Sequence, residues 1–237
     1  MVTTKQQLVN ANELQPTLEY VCWIDIMGTK NIMSISLAKA ANFILKFHAS
    51  INNIKEKEVK CYPLMDGVFI TCKELETLKK VINNIYTNIA NIFSKETKFE
   101  HKFIIRGALA YGEIINGCDI SDKACQAFNE NTNYRDSLLL GMPMVQAFGF
   151  ESFAPPFGMY IHESARKYEG LQGCYYKWQE EEAMQQLKKK TINYFEECQK
   201  RIHYLDMKEE KLKFYKELIE EYLLTCGDSP TKARKNK

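Results

Sequence analysis

No C-x-x-C pair occurs among the eight cysteines of this 237-residue chain, Cys22, Cys61, Cys72, Cys118, Cys125, Cys174, Cys198 and Cys226. That spacing leaves no paired-thiol metal or redox motif. Several of the cysteines lie in apolar strand patterns, where a free thiol packs as a small hydrophobe. The four histidines, His48, His101, His162 and His203, are too far apart to form a zinc set. A secretory signal is missing from the N-terminus, so a reduced, cytoplasmic protein is expected. No apolar run approaches the roughly 18 residues that a membrane span requires. An excess of charge of one sign is missing too. At a formal net charge of +2 the chain lacks the basic footprint of a nucleic-acid binder, and no stable nucleic-acid or membrane binding is expected. What is present is core: 45% of residues are hydrophobic and 12% aromatic. That suffices for one large domain, or for a compact domain with a helical appendage.

Apolar periodicity divides the chain. A polar leader over 1–18 precedes a strand over 19–26. Helical spacing follows over 31–54, then a hairpin of 59–65 and 68–72 around Asp66-Gly67, then an amphipathic helix over 75–93. The segment 102–115 is strand-rich but broken by Gly107 and Gly112, and 119–134 reads as a surface excursion. Gly141-Met142-Pro143 opens a short helix to Phe150, with Pro in its first turn. Further strand material lies at 158–162 and 173–178. The order strand, helix, hairpin, helix, strand, helix, strand is that of a ferredoxin-like α+β sandwich with an extra helix. The expected domain is 19–179. A helical extension follows over 180–226, in two helices of which the second places Leu212, Tyr215, Ile219, Tyr222 and Leu223 on one side. That stripe packs against the parent domain or a partner. A basic tail, 227–237, is expected to be disordered.

Two acids stand out. Asp25 ends the apolar run Tyr20-Val21-Cys22-Trp23-Ile24 and is followed by Ile26-Met27-Gly28; Asp66 and Gly67 sit between two further apolar runs. A charge at the end of a core strand is costly unless it is paired or holds a metal. Hard cations in carboxylate sites usually bring phosphates with them. Alternatively, each acid merely caps a turn beside its Gly, since Asp-Gly is a common hairpin signal. Arg106 interrupts a third apolar run, Phe103-Ile104-Ile105 before it and Gly107-Ala108-Leu109 after it. It either neutralises a nearby Asp or binds phosphate bidentately.

Taken in order, these elements resemble the class III nucleotide cyclases. The motifs are Asp25-Ile26-Met27-Gly28 after a strand, Asp66-Gly67 on a hairpin, Arg106-Gly107-Ala108 with Gly112, and Gly141, Val145, Ala147 and Glu151 in a fourth. Within that family the chain is most similar to the bacterial pyrimidine cyclases of the Pycsar antiphage system. The resemblance covers about 20–168. It implies a class III cyclase catalytic domain, with Asp25 and Asp66 holding two divalent cations, Mg²⁺ or Mn²⁺, and the Ile26 carbonyl as an added ligand. Ile26, Met27, Gly28 and Thr29 match the turn that receives the triphosphate, and Arg106 matches a phosphate-contacting arginine. Tyr62 stands where purine cyclases often place a base-selecting lysine, a departure that points away from a purine. The Asn/Arg pair of adenylyl cyclases is missing, its positions taken by Val145 and Gly149.

What the resemblance implies is a homodimeric lyase that converts UTP, or less readily CTP, to the 3′,5′-cyclic nucleotide and pyrophosphate. The cyclic UMP or cyclic CMP would be a second messenger in antiviral defence, read by a separate effector. A catalytically weak, cyclase-like homodimer that binds nucleotide and signals by conformation is the competing expectation. The missing Asn/Arg pair favours it; retention of both aspartates opposes it.

Overall fold

The computed structural model describes residues 9–128, 130–201 and 208–224. Residues 1–8 of the expected leader, and the expected basic tail, lie outside them. The first long element is strand β1 (Thr17–Ile26), followed after Gly28 by helices α1 (Thr29–Ile35) and α2 (Leu37–Asn52). The one helix expected over 31–54 is therefore two. Ser36 between them is extended (φ −159°, ψ 111°), and its side chain accepts a hydrogen bond from the Lys39 N–H, capping α2. Serine competes in this way with continuation of a helix and is favoured as an N-cap.

Strands β2 (Lys60–Leu64) and β3 (Gly67–Cys72) make the hairpin, and α3 (Leu75–Lys95) returns the chain to β4 (Ile105–Asn116). β4 runs unbroken through both glycines where interruptions were expected. Gly107 serves close approach instead: a Cβ there would lie 2.5 Å from the Trp23 carbonyl oxygen. The surface excursion ends in the short α4 (Thr132–Asp136). Then come β5 (Leu139–Gly141), α5 (Met142–Phe150), β6 (Met159–Ile161), α6 (Glu163–Arg166), β7 (Tyr175–Tyr176), α7 (Glu181–Lys200) and α8 (Glu209–Leu224).

The sheet order is β2-β3-β1-β4-β6-β7, with β5 beside β4. Every pairing is antiparallel except β4 with β6. The first four strands, with helices inserted after β1 and β3, form the ferredoxin-like α+β sandwich expected. Alternation along β1 separates two cores. Tyr20, Cys22, Ile24 and Ile26 join α2, α3, α7 and α8 in the main one. Val21 and Trp23 join Tyr62, Phe69 and Ala147 in a smaller one under α5.

The helices beyond residue 180 share the main core with the sheet. Met184, Leu187, Phe195, Cys198, Leu212, Tyr215, Leu218, Ile219 and Tyr222 are all buried in it. The Tyr222 hydroxyl donates to the Tyr176 carbonyl at 3.2 Å, tying α8 to β7. The Leu223 side chain lies outside what is described. Among the described residues, no helix is long and apolar enough to cross a membrane.

Candidate active site

Asp25 is the penultimate residue of β1 and stands opposite Gly67 on β3 and Arg106 on β4. By strand alternation it shares the α5 side of the sheet with Trp23. Asp66 occupies the tight turn between β2 and β3, after Met65 in the left-handed region (φ 54°). The Ile26 N–H donates to the Asp66 carbonyl at 3.3 Å, which binds the hairpin tip to the end of β1. Gly67 permits this approach, because a Cβ there would lie 2.3 Å from the Trp23 ring. Both acids thus reach one end of the sheet from adjacent strands.

The electrostatics are those of crowded negative charge. Burial, then Asp66 and Glu151, push the Asp25 carboxyl up to about 7, against the lowering effect of Arg106. Glu151, just past α5, forms an ion pair with the Arg106 Nε, and both side chains are largely buried. The Arg106 guanidinium also lies 5.8 Å from the ring centre of Tyr215 on α8, within cation–π range. Arg106 therefore neutralises Glu151, not only the nearby Asp25. Glu151 stood in the fourth motif of the sequence without a role; its partner is 45 residues away, a pairing no local pattern reveals.

The turn after β1 is partly committed to the fold. The Ile26 N–H is used by Asp66, and the Met27 N–H donates to the Ile104 carbonyl at 2.8 Å. Of the four residues expected to receive phosphate through their amides, Ile26 and Met27 thus have theirs engaged; those of Gly28 and Thr29 have no hydrogen-bond partner among the described residues. Gly28 caps α1 at φ 81°, a conformation that favours glycine. The Thr29 hydroxyl donates to the Ile26 carbonyl at 3.2 Å, leaving that oxygen a second lone pair.

Two carboxylates and a backbone carbonyl form an oxygen donor set suited to Mg²⁺ or Mn²⁺, ions that also draw ligands from water and substrate phosphates. A divalent cation would relieve the like-charge crowding at Asp25. Among the described residues, no group of three or more His, Cys, Asp or Glu side chains forms a self-sufficient metal cage. The set fits a metal shared with a phosphate ligand.

Tyr62 is buried in the smaller core, and its hydroxyl donates to the Asn116 Oδ1 at 2.8 Å. Asn116 in turn donates to buried Glu19 at 2.9 Å and accepts from the Thr71 hydroxyl at 3.2 Å. Tyr62→Phe is therefore expected to cost about 1 kcal/mol of stability, the usual net worth of such a hydrogen bond, read as a fall in Tm of about 2–4 °C. Val145 and Gly149 are both exposed on α5. Val145 and its neighbours Met142 and Phe148 are 53%, 62% and 56% exposed, so α5 offers an apolar outer face beside the acids.

No family model matches the chain, and no curated relative does. Among solved structures, it is similar to an adenylate/guanylate cyclase/hydrolase from Silicibacter pomeroyi, with 12% identity over 65% of this chain and 80% of that one, at a TM-score of 0.49. A guanylyl cyclase domain of the RhoGC fusion protein from the aquatic fungus Blastocladiella emersonii, an E497/C566D double mutant, matches at 18% identity over 65% and 85% of the two chains, also at a TM-score of 0.49.

Proposed function

We infer that this protein is a nucleotide cyclase: it closes the 3′-hydroxyl of a nucleoside triphosphate onto its own α-phosphorus and releases pyrophosphate. The observation that carries the reading is the convergence of Asp25 and Asp66 at one sheet end, locked by the Ile26–Asp66 hydrogen bond next to the Gly28 turn. Asp25, Asp66 and the Ile26 carbonyl would hold divalent cations, which when bound would supply positive charge to the triphosphate and acidity at the 3′-hydroxyl. The protein's own work is positioning and charge. The amides of Gly28 and Thr29 bind phosphate oxygens. Arg106, held by Glu151 and Tyr215, is kept in place beside Asp25 and offers its remaining N–H groups to the same chain of phosphates.

Substrate choice follows the lack of a base-selecting lysine at Tyr62, which favours a pyrimidine, UTP before CTP. With its ring buried in the smaller core and its hydroxyl engaged by Asn116, Tyr62 bears on base choice by standing where a lysine ammonium would otherwise be, not by direct contact. Tyr62→Phe should then leave kcat/KM for UTP within about twofold, whereas a direct hydroxyl contact would cost tenfold or more. The apolar face of α5, with Leu64 and Met65 exposed at the hairpin tip, suits a second copy of the chain, a patch a monomer seldom leaves open. Activity of such a homodimer falls on dilution. The cyclic product acts through a separate sensing effector, in keeping with the resemblance to antiphage cyclases. The test is kcat/KM for each of the four ribonucleoside triphosphates with Mg²⁺ and with Mn²⁺. A preference for ATP or GTP overturns the pyrimidine assignment. Binding without turnover favours the second reading, a nucleotide-sensing homodimer, to which Val145 and Gly149 in place of the Asn/Arg pair point.

A further inference from the structure

The cation named so far at the phosphate end of the site, Arg106, is already paired with Glu151. Asp25, Asp66 and Glu151 outnumber it, and a bound triphosphate adds negative charge that even two divalent ions do not fully offset. The phosphate tail therefore calls for positive charge that no protein carboxylate has already neutralised. Such charge stands next to the Gly28 turn. A small cavity of about 40 Å³ is walled by Met27 and Gly28 on one side and by Tyr215 and Phe195 of the C-terminal helices on another, and its lining includes two cations, Lys102 and Lys211. Neither forms an ion pair with a carboxylate among the described residues. Each ammonium instead lies over an aromatic ring, Lys102 at 5.4 Å from the centre of Phe93 and Lys211 at 5.8 Å from that of Tyr215.

The cavity has room for ordered water rather than for a phosphate group, so the two lysines act at its mouth. Their backbones are well fixed. Lys211 precedes Leu212, which is buried in the main core. Lys102 lies two residues before Ile104, whose carbonyl holds the Met27 N–H. A long, flexible stem on an anchored backbone lets an ammonium follow a phosphate as a mobile point charge.

We propose that helix α8 belongs to the substrate site, and that Lys211, assisted by Lys102, binds the terminal phosphates of the nucleoside triphosphate at the edge of the Gly28 turn. This assignment rests on the reading of the site as a triphosphate site. It makes the C-terminal helices part of the machinery that binds substrate, with the Tyr215 ring centre 5.8 Å from both the Lys211 Nζ and the Arg106 guanidinium.

The test uses the full chain and inorganic tripolyphosphate, with and without Mg²⁺, titrated by calorimetry into the wild type and into Lys211→Gln, Lys211→Arg and Lys102→Gln; KM and kcat for UTP are measured in parallel. Lys211→Gln is expected to weaken tripolyphosphate binding about tenfold and raise KM for UTP by a similar factor, with kcat within twofold and Tm unchanged. Lys211→Arg should recover most of the loss, and Lys102→Gln should show a smaller one. Wild-type binding of tripolyphosphate that Lys211→Gln leaves intact overturns this proposal and spares the site. A wild type that neither binds tripolyphosphate nor turns over a nucleotide overturns the triphosphate site itself, and the role of Lys211 with it.

Discussion

Asp66→Asn is expected to lower turnover by on the order of 10³-fold or more while leaving the fold intact. Phosphoryl transfer at a carboxylate-bound metal owes several kcal/mol to charge stabilisation, and about 1.4 kcal/mol is a factor of ten in rate. The turn itself does not depend on the carboxylate, since the hydrogen bond that fixes it is made by the Asp66 backbone carbonyl. Asp25→Asn should be equally inactive, with the opposite sign in stability. The Asp25 carboxyl is raised to about 7 in the folded chain, mainly by burial and then by Asp66 and Glu151, above its value in an unfolded chain. Between those two values the folded state holds the extra proton, so this group's contribution to stability falls as pH rises through about 7. Metal-free Asp25→Asn should melt a few degrees higher than the wild type at pH 8, and the gap should narrow as pH falls below about 7 and close only near pH 4, where the unfolded chain also holds the proton. Mg²⁺ or Mn²⁺ should raise the Tm of the wild type but not of the variant. Thermal melts across that range, alongside turnover, check both parts; an active Asp66→Asn protein would remove the metal site from the account.

The second large effect concerns the C-terminal helices. A chain ending at residue 179 is expected not to fold to a stable, cooperative domain. Its main core would lose Phe195, Leu212, Tyr215, Leu218, Ile219 and Tyr222, each buried to 6% exposure or less. It would also open Phe93 and Phe99 where Tyr194 now packs, at 5.6 and 5.2 Å between ring centres. Burial of each large apolar side chain is worth about 1.5–3 kcal/mol. Omitting the helices returns their ordering entropy, but the face left on α3 and the sheet has no substitute cover. The loss rivals the about 5–15 kcal/mol by which a domain is stable at all. Circular dichroism and dye binding would show lost tertiary packing and exposed apolar surface. A sharp melt within about 5 °C of the full chain's would mean that the extension is an appendage after all.

The same helices show where reading along the chain stops. The stripe on α8 was legible as a buried face, but periodicity names no neighbour, so its place against Arg106 and the Gly28 turn was not. Asp25 and Asp66 were legible because an acid followed by a glycine breaks an apolar run, and the cost of burying charge makes such breaks informative. Glu151 and Asn116 were not, because the groups they satisfy, Arg106 and Tyr62, lie 45 and 54 residues away. Tyr62 shows the consequence: a residue expected to face a base has its hydroxyl committed within the fold. Ser36 misled in the other direction. Apolar spacing runs straight across it, and only the local competition of its side chain for backbone N–H groups ends one helix and starts the next. At Gly107 a residue that usually breaks strands keeps β4 whole, because the Trp23 carbonyl approaches too closely for any side chain.

The central claim is that Asp25 and Asp66 serve the cyclisation of a nucleoside triphosphate. It is tested most directly by incubating purified protein with UTP and Mn²⁺ and following the nucleotide by mass spectrometry and the released pyrophosphate by a coupled assay. The account predicts 3′,5′-cyclic UMP and pyrophosphate in equal amounts from the wild type, and neither from Asp66→Asn. UTP recovered intact, with the other three triphosphates equally untouched by a folded dimer, would contradict it.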